Sequence, residues 1–161
     1  MFLVKKRNIT FAIRLKKMIQ RIQSIYLLIA AIISGGLTLK VSLWTNISNT
    51  TVFMLDLFST NSFIEKLVPS FFLLSALISM VTVFLYKKRQ LQFVLGRLNI
   101  LIHLFLVGIL IYLSQTLSGE ALVSEKGIGM FFPVLVVLLL VLANKAIKKD
   151  EDLVKSVDRL R

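Results

Sequence analysis

The stretch LVPSFFLLSALISMVTVFLYKKRQLQFVLGRLNILIHLFLVGILIYLSQTL, Leu67–Leu117, decides the fold, because two long apolar segments flank a short basic connection. A helix that crosses roughly 30 Å of hydrocarbon needs about 20 mostly apolar residues. Leu67–Tyr86 and Leu98–Leu117 each meet that requirement. Only helices and closed barrels satisfy the backbone in lipid, and no alternating barrel pattern occurs here. We therefore expect two antiparallel membrane-spanning helices.

Two further apolar segments lie outside this stretch, at Ile22–Leu39 and Ile128–Ala143. Hydrophobic residues make up 57% of the 161-residue chain, whereas a soluble domain has roughly 45–50%. No repeat or linker divides the chain. The predicted fold is an all-α integral membrane four-helix bundle, formed as a single domain over residues 18–161.

The positive charge is distributed unevenly about these four spans. Of the 20 lysines and arginines, only Lys40, Lys66 and Lys126 lie in the connections after the first and third spans. Basic residues accumulate on the cytoplasmic side of membrane proteins, so we expect both termini in the cytoplasm. The formal net charge of +12 is then a topology signal, and we do not expect a nucleic-acid partner.

The residue types argue against an enzyme. The chain has no cysteine and a single histidine, so we expect no metal site and no cofactor. Asp56 and Glu65 are the only acids in the long connection after the first span, and no spacing sets them together. We expect no catalytic residues; a lipid-modifying enzyme that uses Asp56 or Glu65 is the weaker alternative.

Asn99 and His103 are the candidate intramembrane polar site. They are four residues apart in the third span, so they share a helix face. His103 lies roughly 9 Å beyond Arg97 along the helix, short of the bilayer midplane at roughly 15 Å. The favoured interpretation is a shallow histidine that bonds a neighbouring helix. The functional alternative is a proton relay or ligand contact.

Small residues form two candidate helix-packing surfaces. Ser75 and Ser79 lie one turn apart on the second span, and Gly35 and Gly36 lie near the outer end of the first span. Small faces let membrane helices approach closely. The sequence does not separate packing within the bundle from docking of a partner's membrane helix.

The connection Lys40–Lys66 is the longest on the outer side. Its Trp44 occupies a position typical of an interfacial anchor. Its middle, TVFMLDLFS (51–59), is apolar. We expect this connection to pack back on the bundle.

The C-terminal tail, Asn144–Arg161, contains no glycine or proline, so we expect it to extend the fourth span into the cytoplasm as an amphipathic helix. One face is apolar by spacing, and its members are Leu153, Val154, Val157 and Leu160. The tail mixes acids with bases, which favours contact with a protein over contact with the membrane surface. The chain's own basic connection KKRQLQFVLGR (87–97) is a further possible contact for this face.

Residues 1–17 form a basic N-terminal extension without an acidic residue. An in-plane anchor helix on anionic lipids is one interpretation. A translation start at Met18 is the favoured one.

Three blocks together carry a resemblance to a known family: MIQRIQSIYLL from Met18, KKRQLQFVLGRLNILIH from Lys87, and FFPVLVVLLLVLANKAIKKDEDLVKSVDRLR from Phe131. The chain resembles the four-span membrane proteins of Bacteroidetes that form domain-of-unknown-function family 4293. The resemblance implies a bacterial inner membrane and a start at Met18. It implies no activity, cofactor or site.

The function predicted from these features is that of a non-enzymatic accessory or scaffold subunit of a membrane complex. Its partners would be the lipid bilayer and a membrane or cytoplasmic protein that docks on the tail. The alternative is a small transporter or channel subunit that acts as a homo-oligomer, with Asn99, His103, Ser75 and Ser79 lining the pathway.

Overall fold

The computed structural model describes residues 22–45, 49–86, 88–119 and 125–159. Within these residues, four helices are long and apolar enough to cross a membrane. We call them α1 (Ile22–Lys40), α2 (Phe63–Phe84), α3 (Arg89–Gly119) and α4 (Phe132–Arg159). The predicted helical membrane fold is confirmed, although α2 and α3 begin earlier than the apolar segments suggested.

The helices pack in a closed cycle in which α1 contacts α2 and α4, and α3 contacts the same two helices. Helices adjacent in the chain are therefore neighbours in space, as short connections favour. One apolar cluster lies between α1 and α4. Its buried members are Leu27, Ala30, Ile33, Val136, Leu140 and Ala143.

α1 contains an irregular turn. Its backbone is α-helical over Ile22–Ile32, π-helical over Ile33–Leu37 and α-helical again over Thr38–Lys40. A π-helical turn inside an α-helix is rare and is frequently found at functional sites. It coincides here with the segment Ser34-Gly35-Gly36, which matters for the site described below.

A small antiparallel sheet closes one end of the bundle. Its strands are β1 (Ser42–Thr45), β2 (Thr51–Phe53) and β3 (Glu125–Lys126), in the order β2-β1-β3. A 3₁₀ turn at Asp56–Phe58 leads into α2, and another at Ile128–Phe131 leads into α4. The Gly127 N–H donates to the Leu43 carbonyl at 2.8 Å, so the connections that follow α1 and α3 are bonded to each other.

The long connection between α1 and α2 packs back on the bundle, as we expected from the sequence. Leu43, Met54 and Leu57 are buried in one cluster with residues of α2 and α3. Trp44 belongs to the same cluster and is only 4% exposed. The prediction of Trp44 as an interfacial anchor is therefore wrong, because β1 turns its indole into the protein.

Candidate functional site: a buried polar core

The inward face of α3 changes character halfway along the helix. Its buried residues recur at alternating steps of four and three, which is the spacing of a helix face packed in a bundle. In chain order they are Gln92, Gly96, Asn99, His103, Leu106, Leu110 and Leu113, and Ser114 is buried beside the last of them. The first half of this face is polar or, at Gly96, lacks a side chain, and the second half is leucine apart from Ser114 near its end.

α2 shows the same change in the opposite chain direction. Its buried residues are Val68, Pro69, Phe72, Ser75, Ser79 and Thr82. Because α2 and α3 are antiparallel neighbours, their polar halves meet at the end of the bundle opposite the sheet. The apolar halves meet beneath the sheet, where they share one cluster with Leu43 and Met54.

His103 is the centre of the deeper part of this polar core and is fully buried. Its Nδ1 lies 3.1 Å from the Asn99 carbonyl oxygen. A carbonyl oxygen only accepts hydrogen bonds, so Nδ1 carries the proton and donates. In this tautomer Nε2 is an acceptor, and the Ser34 and Ser75 hydroxyls each lie 3.3 Å from it. One ring thus joins α1, α2 and α3.

Asn99 fixes the position of α3 against α2. Its amide Nδ2 donates to Ser79 Oγ at 2.7 Å and to the Ser75 carbonyl at 3.3 Å. Because the Ser75 carbonyl requires a donor, the orientation of the amide is determined. Asn99 Oδ1 is buried and has no hydrogen-bond partner among the described residues. Asn99, His103, Ser75 and Ser79, which the sequence analysis grouped only under the transporter alternative, therefore form one cluster.

The π-helical turn of α1 brings Ser34 to this cluster. Ser34 is fully buried, and its Oγ lies 3.5 Å from Ser75 Oγ as well as beside the imidazole. A Cβ at Gly35 would fall 3.0 Å from the Cβ of Ala76, so α1 and α2 approach closely at this glycine. Gly36, the other glycine suggested for packing, is exposed.

A second polar layer lies nearer the end of the bundle. The Gln92 amide Nε2 donates to the Thr82 carbonyl at 2.9 Å. Its Oε1 accepts from Gln23 Nε2 at 3.4 Å. Gln92 therefore joins α1 and α2 to α3, as His103 does in the deeper layer.

Between the two layers, α3 and α4 meet at Gly96 and Asn144. A Cβ at Gly96 would fall 3.0 Å from Asn144 Cγ and closer still to Oδ1. Asn144 Oδ1 and Ser24 Oγ are both buried without a hydrogen-bond partner among the described residues. With Asn99 Oδ1, three polar groups in this half of the bundle have unused hydrogen-bonding capacity, which an internal water commonly satisfies.

Exposed cations indicate the depth of the core in a bilayer. Arg97 and Lys145 directly follow Gly96 and Asn144, and both are exposed. Because long basic side chains reach for the interface rather than remain in hydrocarbon, we expect this level to lie at the edge of the hydrocarbon if the four helices cross a bilayer. His103 is six residues further along α3, roughly 9 Å, so in that placement we expect it about a third of the way across the apolar layer.

The chemistry available in the core is that of neutral hydrogen-bonding groups. The buried polar side chains in the described part of the chain are amides, hydroxyls and one imidazole, without Asp, Glu, Lys or Arg. No group of three or more His, Cys, Asp or Glu that could hold a metal ion occurs among the residues described. Asp56, one of the two acids of the enzyme alternative, lies outside this core at the sheet end of the bundle. Its carboxylate accepts from the Phe53 N–H at 2.9 Å. The neutral groups of the core can hold neighbouring helices together by hydrogen bonds, and none of them is charged.

Several members of the core were missed by the sequence analysis. They are Gln23, Ser24, Gln92, Gly96 and Asn144. The available signal was spacing, because Gln92, Gly96, Asn99 and His103 follow the four-three-four steps of a single helix face. Asn144 was harder to identify from the sequence, because it lies at the boundary of the apolar segment and was assigned to the tail.

The predicted docking residues of the tail lie at the limit of the description. The backbone of α4 is helical through Arg159, and this range includes Leu153, Val154 and Val157. The side chains of these three residues, and all of Leu160, lie outside the described residues.

The chain matches the family model described as "Domain of unknown function (DUF4293)" over residues 19–160. The chain therefore belongs to that family, and the resemblance drawn from the three sequence blocks is confirmed. No curated protein and no solved structure matches the chain.

Proposed function

We propose that this protein is a non-enzymatic accessory or scaffold subunit of a membrane complex. It lies in a bacterial inner membrane with both termini in the cytoplasm, and it docks a partner protein through the tail that continues α4. The basic residues at the end of the bundle opposite the sheet support this orientation through the positive-inside rule.

The observation that carries the proposal is the length of α4. The helix has 28 residues and is therefore about 42 Å long, whereas the hydrocarbon layer is roughly 30 Å thick. Lys126 of β3 and Met130 come shortly before α4, so the helix begins at the end of the bundle that carries the sheet. Its surplus length therefore projects from the opposite end. When a helix leaves the membrane without a break, its last turns are held at a fixed angle to the bundle.

The base of this projecting segment is held by the bundle. Ile147 is fully buried. Arg89 Nε lies 3.4 Å from Asp150 Oδ2, and Arg89 Nη1 donates to the Asp150 carbonyl at 3.3 Å. The chain's own basic connection therefore contacts the first turns of the tail. The apolar face that the spacing predicts from Leu153 onward is the surface that we propose for a partner.

The polar core has a structural role under this proposal. In lipid there is no hydrophobic force that selects one helix arrangement over another, so hydrogen bonds and close packing do so. His103 and Gln92 each join three helices. These bonds hold the bundle in one arrangement and keep the tail oriented.

Affinity purification after cross-linking in native membranes tests the proposal. The full chain should recover a partner in fixed stoichiometry, and a chain truncated after Asp152 should lose it while retaining Ile147 and Asp150. Leu153→Glu should also lose the partner. Lys155→Gln alters the net charge by the same amount on the other face and should retain it. Recovery of the full chain alone would contradict the proposal.

A second candidate is a transporter or channel subunit that acts as a homo-oligomer. The unused hydrogen-bonding capacity of Asn99, Asn144 and Ser24 favours it, because polar solutes could occupy that half of the bundle. Solute flux into liposomes should then fall with His103→Ala and persist with Leu104→Ala, its lipid-facing neighbour. Equal flux in the two variants would remove His103 from any pathway.

A further inference from the structure

We infer that the groove between α3 and α4 on the side of Arg97 and Lys145 binds an anionic phospholipid, with the headgroup phosphate at these two cations. The inference depends on the chain spanning a bilayer. It does not depend on the tail docking a protein.

The geometry of the Gly96–Asn144 contact places the two cations together. Two antiparallel helices that pack side by side are related by a two-fold axis perpendicular to the plane that contains both of them. Rotation about this axis exchanges the helices and keeps each residue position on the same side of that plane. Arg97 and Lys145 each stand one residue beyond the contact, a rotation of about 100° in the same sense. Both are exposed, so they flank one groove.

A cavity further along the same groove supports this assignment of sides. It has a volume of about 310 Å³, and Ile111 of α3 and Val134 of α4 both line it. At about 100° per residue, Ile111 is rotated roughly 60° from Gly96, and Val134 roughly 80° from Asn144. These rotations have the same sense as those of Arg97 and Lys145.

The groove matches the two parts of a lipid. Arg97 is held in place by Phe93, whose ring centre lies 4.2 Å from the guanidinium carbon. Towards the hydrocarbon, Leu104 and Val141 are 53% and 48% exposed, so acyl chains have an apolar surface directly below the cations. Basic pockets between membrane helices at the cytoplasmic boundary are suited to anionic headgroups.

Other charges near the groove do not cancel this field. Lys148 lies one turn beyond Lys145 on the same side and is exposed. Asp150 is paired with Arg89. Asp152 is exposed on the groove side, but it is about 10 Å further from the hydrocarbon than Lys145.

Native mass spectrometry of the full chain, titrated with phosphatidylglycerol or phosphatidylethanolamine, tests the inference. The wild type should retain phosphatidylglycerol in preference to phosphatidylethanolamine. The double variant R97Q/K145Q should bind phosphatidylglycerol about 25-fold more weakly, since each cation near an anionic surface contributes a factor of about five. Lys88→Gln removes one charge from the same end of the bundle, outside the groove, and should change affinity less than twofold.

A second measurement needs no variant and so does not depend on the double variant folding. A photoreactive phosphatidylglycerol with its reactive group near the phosphate should label peptides that contain residues 97–101 or 141–148. Labelling confined to other peptides would overturn the inference. Equal retention of the two lipids, or unchanged affinity in R97Q/K145Q, would overturn it as well.

Discussion

The side chain of Asn144 lies directly over Gly96, where the missing Cβ leaves room for the amide. This contact joins α3 to α4 between the two polar layers of the bundle. Any larger residue at position 96 must displace Asn144 or separate the helices.

Gly96→Ala should therefore destabilise the folded bundle by roughly 1–3 kcal/mol, the usual cost of inserting volume into a packed core. Reversible unfolding in mixed micelles measures the free energy. Gly108→Ala is the matched control on the same helix, because a Cβ there meets no atom within 4 Å. The control should be neutral or slightly stabilising, since alanine favours the helix over glycine. Equal effects of the two substitutions would contradict the contact.

Gly35 and Gly36 provide a second matched pair, in the π-helical turn of α1. A Cβ at Gly35 would fall 3.0 Å from the Cβ of Ala76, whereas a Cβ at Gly36 meets only Ile32 of its own helix at 3.9 Å. Gly35→Ala should lower the unfolding free energy by about 1 kcal/mol or more relative to Gly36→Ala. Thermal stability in detergent is a sufficient readout. A more stable Gly35→Ala would show that α1 and α2 are not in close contact at this turn.

Replacing His103 should loosen three helices together. His103→Ala removes the acceptor and donor that serve Ser34, Ser75 and the Asn99 carbonyl, and it leaves a cavity. We expect a loss of about 2–4 kcal/mol in unfolding free energy, combining the cavity with unpaired buried groups.

Leu104→Ala is the control for His103→Ala, because Leu104 is the next residue and is largely exposed. It should cost less than about 0.5 kcal/mol, as surface substitutions usually do. A comparable loss in both variants would mean that the imidazole does not act as a junction.

The Arg89–Asp150 pair should govern the order of the tail more than the stability of the bundle. The two side chains are 21% and 33% exposed, so solvent weakens the pair and its removal should cost less than about 1 kcal/mol. Hydrogen exchange should still report faster opening of residues 148–152 in Arg89→Gln. The change should diminish in high salt, which screens the pair in the wild type too.

Lys88→Gln serves as the charge-matched control for Arg89→Gln. Lys88 is exposed and neighbours Arg89 in the chain. Its replacement should leave exchange in the tail unchanged. Faster exchange with Lys88→Gln would instead indicate a general effect of positive charge at this end of the bundle.

Much of the architecture was predictable from the sequence, because a bilayer imposes simple requirements. Leu98–Leu117 had to be helical, since each backbone group in lipid needs a partner within its own helix. The helix boundaries were harder to predict. α2 begins at Phe63 rather than Leu67, because the first turn of a membrane helix can carry polar residues such as Glu65 and Lys66 outside the hydrocarbon.

The polar site could be predicted only in part from the sequence. Asn99 and His103 were identified because polar residues are uncommon inside apolar spans. Gln23 and Gln92 lie in mixed sequence near the ends of their helices, where polar residues are ordinary. Their pairing depends on which residues the neighbouring helices present at the same level, and a single sequence does not specify that level.

By itself, the sequence determined that four apolar segments form helices and that positive charge gathers at one end, because both properties follow from the chemistry of each segment alone. The tertiary structure decided that Ser34, Ser75, Asn99 and His103 share one cluster and that Asn144 rests on Gly96. It also decided that Trp44 is buried. These contacts depend on the rotation and relative height of packed helices and on the return of the outer connection. Such quantities are set by the mutual fit of distant side chains rather than by any local pattern.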